Sequence, residues 1–78
     1  MDNNIIKSFR FNDNKDGLIG RVWIDANGKI YSLDLFKIDG IWSLKKGLYI
    51  PEDLQEFVNN YGYDNLVKDV VNYALKYL

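Results

Sequence analysis

The side chains that most often perform enzyme chemistry are absent from this 78-residue sequence, which contains neither histidine nor cysteine. A catalytic site would have to use carboxylates, lysines, serines or tyrosines alone. The carboxylates are scattered: they suit turns (Asp13, Asp16 and Asp39) or the start of a helix (Glu52, Asp53 and Glu56). We therefore expect a protein that is not an enzyme and that uses no cofactor.

Metal binding is equally unexpected. Without cysteine or histidine the usual zinc ligands are missing. Residues 12–17, Asn-Asp-Asn-Lys-Asp-Gly, have the composition of a calcium loop but lack the downstream glutamate at the required spacing. The stretch is better interpreted as a turn between strands.

The basic residues point to a binding function. Adjacent Lys45 and Lys46 repel each other, so they require either a solvated bend or a negatively charged partner. The net charge of the chain is −1, but residues 1–50 carry eight basic against six acidic side chains, whereas residues 51–78 carry two against five. The first part of the chain is therefore the basic one, although the protein as a whole is acidic.

The elements that must position these residues can be predicted from the pattern. Extended segments occur at residues 5–11, 18–25, 29–38 and 48–50, with turn signals at Asn27-Gly28 and Asp39-Gly40. A helical period follows from Pro51, with Gly62 either kinking one helix or separating two, and Asp64 as a plausible cap for the second run. We predict a single α+β domain over residues 1–78: a four-stranded antiparallel β-meander within 5–50, then a helical part at 51–78.

A chain this small, without disulfides or metal, often gains burial by oligomerising. The second helical run has two adjacent apolar stripes, which predicts a homodimer; a wide buried stripe in a monomer remains an open alternative. The start of the chain lacks the features of a signal peptide, and no apolar run reaches the length of a membrane span. We expect a cytoplasmic protein without a membrane partner.

Strand alternation predicts which side chains remain outside the core. The set predicted to face the helices is apolar: Ile5, Phe9, Phe11, Leu18, Val22, Ile24, Tyr31, Leu33 and Leu35. The opposite set mixes arginines with aromatic rings: Ser8, Arg10, Arg21, Trp23, Ser32, Asp34 and Phe36. Rings stack on bases of any sequence and arginines contact phosphates, so this face suits single-stranded nucleic acid.

The predicted nucleic-acid-binding residues are Arg10, Arg21, Trp23, Lys29, Phe36, Lys37, Trp42, Lys45 and Lys46, the lysines being placed in turns that border the face. Other interpretations remain. Trp23 and Phe36 also suit a cross-strand pair or a protein-binding hot spot, and Trp42 also suits the core. The alternative function is therefore a small protein-interaction module, for example a phage or plasmid factor that docks on a host protein.

From about residue 20 to residue 57 the sequence resembles the positive cofactor four family of transcriptional coactivators and their bacterial and phage relatives. The most specific part is Lys45-Lys46-Gly47, followed by Leu48-Tyr49-Ile50 and by the acidic helix start at Pro51. The resemblance implies a dimer that binds single-stranded or melted DNA with little sequence preference. We expect single-stranded DNA as the ligand, with RNA as an open alternative, and a role in transcription, replication or recombination. It implies basic-loop roles for Lys45 and Lys46, a hairpin-turn position for Lys29 and a basic strand position for Arg21.

Overall fold

The fold is an antiparallel meander followed by two helices. The computed structural model describes residues 5–13, 15–45 and 50–76. The strands are β1 (Ile6–Phe11), β2 (Leu18–Ala26), β3 (Lys29–Ile38) and β4 (Ile41–Lys45), and they lie in the sheet in that order. Helices α1 (Glu52–Tyr61) and α2 (Tyr63–Leu75) follow. The predicted α+β class, with four antiparallel strands followed by helices, is confirmed.

Two tight turns join β2 to β3 and β3 to β4. Asn27 and Gly28 have φ values of 55° and 91°, and Asp39 and Gly40 have values of 55° and 80°. Positive φ at both central residues is the conformation that two-residue hairpins prefer, because its twist matches that of the strands. The Gly28 N–H also donates to the Asp25 carboxylate at 2.8 Å. Both turns lie where the sequence predicted them.

The predicted position of the fourth strand is wrong. The strand is Ile41–Lys45, not residues 48–50; Ile50 lies outside any strand, and Leu48 and Tyr49 are outside the described residues. The reason is the two-residue turn, which pairs Ile41 with Ile38 immediately and leaves no loop before the strand.

Two irregularities in pairing change which side chains face the helices. β1 has one extra residue, Lys7, relative to its neighbour β2, and β2 has one extra residue, Ile19, relative to its neighbour β3. Each is a β-bulge-like insertion in the pairing. As a result Ile6 is buried in the core, while Ile5, predicted to face inward, is half-buried and packs against the core. In β2, Ile19 packs against the core, whereas Leu18, predicted to face inward, pairs with Phe36. Phe11 pairs with Gly20 and so keeps the side predicted for it, but it is 37% exposed.

Gly62 separates two helices, which answers the question the sequence left open. Its φ of 95° belongs to neither helix, and it stands between Tyr61 and Tyr63. Asp64 lies inside the first turn of α2 and makes no capping hydrogen bond, so its predicted role as a cap is wrong. The Tyr61 hydroxyl donates to the Asp69 carboxylate, which raises the pKa of Tyr61 to about 12 and ties the two helices together.

The core lies between one face of the sheet and the helices. Buried residues of all four strands meet Leu54, Val58, Leu66, Val70 and Ala74 of the helices. We call this side of the sheet the covered face; its buried strand residues are Ile6, Val22, Ile24, Ala26, Leu33, Leu35 and Leu44. Burial of apolar surface on this side, at about 25 cal/mol per Å², is the main stabilising term.

Helix α2 also contacts the main chain of β4, an edge strand. The Tyr63 hydroxyl accepts a hydrogen bond from the Leu44 N–H at 3.0 Å and donates one to the Leu44 carbonyl at 3.3 Å. One side chain therefore satisfies both main-chain groups of Leu44, which the edge of a sheet would otherwise leave to solvent.

Within the residues that the structure describes, none of the helices combines the length and apolar character needed to cross a bilayer. The same part of the chain contains no group of three or more acidic side chains that could hold a metal ion.

Candidate nucleic-acid interface

The side of the sheet opposite the helices presents its residues in rows that cross the strands. We call this side the open face. Strand register defines three central rows on it: Ser8–Trp23–Ser32, then Arg10–Arg21–Asp34–Lys45, then Leu18–Phe36–Ser43. A row of charged side chains therefore lies between two rows that each contain one aromatic ring. From a strand rise of about 3.3 Å per residue, the two aromatic rows are roughly 13 Å apart.

The charged row contains three cations and one carboxylate. Arg21 Nε donates to Asp34 Oδ1 at 2.9 Å, and this hydrogen bond and the opposite charge raise the pKa of Arg21. Both side chains remain accessible, at 50% and 31% of their side-chain surface. Because exposed ion pairs contribute little to stability, this pair matters mainly for fixing the position of the guanidinium.

Each ring of the open face has a cation beside it. The Arg10 guanidinium is 6.0 Å from the centre of the Trp23 ring, and the Lys45 ammonium is 5.1 Å from the centre of the Phe36 ring. Both rings are half-buried, so neither is sealed in the core. Cations and rings thus share one surface, the combination that binds phosphates and bases together.

The structure brings five of the predicted site residues together: Arg10, Arg21, Trp23, Phe36 and Lys45. It places three others on the covered side. Lys29 lies 3.2 Å from Asp53 of α1, and Lys37 lies over Trp42, which packs against the core. Strand parity explains this, because residues 29 and 37 of β3 share the face of Leu33 and Leu35. Lys46 lies outside the described residues.

Sequence reasoning missed the contribution of β4 to the open face, since that strand was predicted too late in the chain. Ile41 pairs with Ile38 at the end of the face, where the two are 68% and 46% exposed. Ser43 extends the Phe36 row. The available signal was the alternation of Ile41, Ser43 and Lys45 with Trp42 and Leu44 directly after a tight-turn sequence.

Asp53 at the start of α1 organises the covered side instead. Its carboxylate accepts a hydrogen bond from the Tyr31 hydroxyl at 2.8 Å and pairs with Lys29. The Tyr31 hydrogen bond, followed by that of Lys29, holds the pKa of Asp53 below its ordinary value of 3.8. Lys29 is therefore engaged by the protein itself.

Comparison with known proteins adds no relative: no family model, no curated protein and no solved structure matches this chain at a significant level.

Proposed function

We propose that this protein binds single-stranded nucleic acid, with DNA as the expected ligand, on the open face of its sheet and without sequence preference. The observation that carries the proposal is the charged row lying between Trp23 and Phe36. Phosphates of the strand contact Arg10, Arg21 and Lys45, while bases stack on the two rings. Each stacked base contributes about 1–3 kcal/mol to the binding free energy. The protein performs no chemistry on its ligand.

The sequence resemblance to the positive cofactor four family supports the same function and suggests a role in transcription, replication or recombination. The proposal includes a cytoplasmic homodimer that associates through its helical side, where Leu75 of α2 is 49% exposed. A mass measurement in solution tests this part, because the chain alone has a mass of 9.1 kDa. A measured mass equal to that of a single chain, at protein concentrations high enough to saturate an oligonucleotide, would contradict the dimer.

A fluorescence titration tests the proposed function directly. Replacing Trp42 by Phe leaves Trp23 as the one tryptophan, so emission reports on the open face. Adding a thymidine oligonucleotide at low salt should quench this emission, and the affinity should fall steeply as salt rises, because bound phosphates release counterions. Absence of binding at low salt, with the variant shown to be folded by circular dichroism, eliminates the proposal. An RNA oligonucleotide of equal length measures the preference between the two polymers.

A protein-docking surface is the second candidate. The exposed Ile38–Ile41 pair favours it, because an isoleucine side chain has neither a charge nor a hydrogen-bond donor with which to bind a phosphate. Tryptophan and arginine are also frequent in hot spots. Retention of one host protein at high salt, together with no response to oligonucleotides, would favour this function over the first.

A further inference from the structure

The arginines of this chain are concentrated at one place. The sequence has eight lysines distributed along its length but only two arginines, Arg10 and Arg21. The register of β1 and β2 puts these two directly opposite each other on the open face. Lysine carries the same charge, but only arginine presents a planar fork that binds two oxygens of one phosphate.

Directly opposed like charges in a sheet are destabilising, since their Cβ atoms are only about 5 Å apart. Asp34 compensates Arg21 through the 2.9 Å bond to Nε. Among the described residues, no carboxylate lies within ion-pair distance of Arg10, whose guanidinium rests near Trp23. These three side chains have a net charge of +1, and Lys45, which pairs with Asp34 in the same row, brings the net charge of the row to +2.

A notch beside this pair provides the space. Arg10, Arg21, Asn12 and Asp34 line a cavity of about 230 Å³ at the end of β1, with Leu18 as an apolar wall. This volume lies below the roughly 300–1,000 Å³ of sites for drug-sized ligands, so the notch suits a single chemical group rather than a whole nucleotide. Arg10, Arg21 and the Asn12 amide, all on the lining of the notch, carry N–H groups that can donate hydrogen bonds.

We propose that this notch holds one phosphodiester group of the bound strand, gripped by Arg10 and Arg21 together. The inference rests on the proposed function and specifies where the backbone is held. Asp34 is the positioning residue: it occupies Nε of Arg21 and leaves the remaining guanidinium N–H groups free. A phosphodiester carries one negative charge, and its two free oxygens match the arginine fork. Because the proposed ligand is a phosphate inside the strand, the strand passes through the site.

The experiment replaces both arginines by lysine, which preserves the charge but removes the fork. Fluorescence anisotropy with a labelled thymidine oligonucleotide should show affinity reduced about tenfold in the Arg10→Lys, Arg21→Lys double variant, because paired charge-assisted hydrogen bonds are lost. The control is Lys45→Arg, a swap in the opposite direction on the same face, which should bind at least as tightly as the natural protein. Equal affinity of the double arginine variant and the natural protein would overturn the site in favour of a diffuse positive surface. Adding a 5′-phosphate to the oligonucleotide should leave its affinity unchanged; a marked gain would show that strand ends are bound instead.

A second measurement keeps the phosphate site and the proposed function distinguishable. With only two arginines, the protein gives two side-chain Nε–H signals in nuclear magnetic resonance, which the single Arg→Lys variants assign. Both signals should shift together on adding dimethyl phosphate, a phosphodiester monoanion. Failure of oligonucleotide binding with joint shifts would remove the proposed function but keep the site. Unmoved signals, or movement of one alone, would overturn the site.

Discussion

Each face of the sheet has a lysine beside an aromatic ring. On the covered face the Lys37 ammonium lies 4.9 Å from the centre of the Trp42 ring, and on the open face Lys45 lies 5.1 Å from that of Phe36. Yet Trp42 packs against the core formed with the helices, whereas the Phe36 row lies on the side that the helices leave open.

The ion pairs differ in the same way. Lys29 and Asp53 join β3 to α1, and the Tyr31 hydroxyl reinforces the carboxylate from the same strand. Arg21 and Asp34 instead join neighbouring strands within the sheet and touch no helix. The comparison teaches that residue type alone does not identify a binding residue here. The Lys29 pair joins a strand to a helix, whereas the Arg21 pair lies on the side of the sheet that the helices leave open.

The largest expected effect separates the two faces through stability. Leu33 is 2% exposed and packs in the core, so Leu33→Ala should lower the free energy of unfolding by about 2–5 kcal/mol. Its neighbour Ser32 points to the open face, and Ser32→Ala should change stability by less than about 0.5 kcal/mol. Urea denaturation of both variants measures the difference, and similar losses in the two would contradict the assignment of faces.

The tryptophans should divide binding from folding. Trp23→Ala should weaken oligonucleotide binding by about 1–3 kcal/mol, the worth of one stacked base, with little loss of stability. Trp42→Ala should do the reverse, because its ring packs against the core. Anisotropy titration and thermal unfolding of both variants make the test. A binding defect in Trp42→Ala but not in Trp23→Ala would indicate that the ligand binds on the covered face and would contradict the proposal.

The matched lysines provide a smaller effect. Lys45→Ala removes a cation of the charged row, so it should weaken binding for all sequences and reduce the slope of log affinity against log salt by about 1. Lys37→Ala removes an equal charge from the covered side and should leave that slope unchanged. Equal slope changes in both variants would indicate that total charge, not the open face, attracts the strand.

The smallest effect concerns acid stability. Because the pKa of Asp53 is lowered in the folded state, its contribution is present above the ordinary value of 3.8 and is lost as pH falls through the folded pKa. The stability difference between the natural protein and Asp53→Asn should therefore be constant near neutral pH and shrink below about pH 4. Urea denaturation across this range measures it; a difference that grows on acidification would refute the role of the pair.

Much of this architecture follows from local sequence. The bounds of β3 and both tight turns were predicted correctly because Asn-Gly and Asp-Gly tolerate positive φ and because β-branched and aromatic residues fill the strands. Alternation also predicted that Arg10, Arg21, Trp23 and Phe36 share one face, and the register places them there.

The errors came from features that residue types do not encode locally. The extra residues Lys7 and Ile19 shift parity along β1 and β2, and nothing in their side chains marks them as bulged. The placement of β4 depended on how soon pairing resumes after Asp39-Gly40. The fate of Lys29 depended on a helix that begins more than twenty residues later, since Asp53 is its partner.

The double hydrogen bond between Tyr63 and Leu44 makes the two edges of the sheet differ in how easily a further strand can pair with them. A β-strand from another molecule that approaches β4 finds the N–H and carbonyl of Leu44 already hydrogen-bonded to the Tyr63 hydroxyl. Strands from other molecules should therefore pair more easily with β1 than with β4, whether in a complex or in an amyloid-like aggregate. Tyr63→Phe, which leaves those two main-chain groups without their side-chain partner, should make self-association faster without changing the open face.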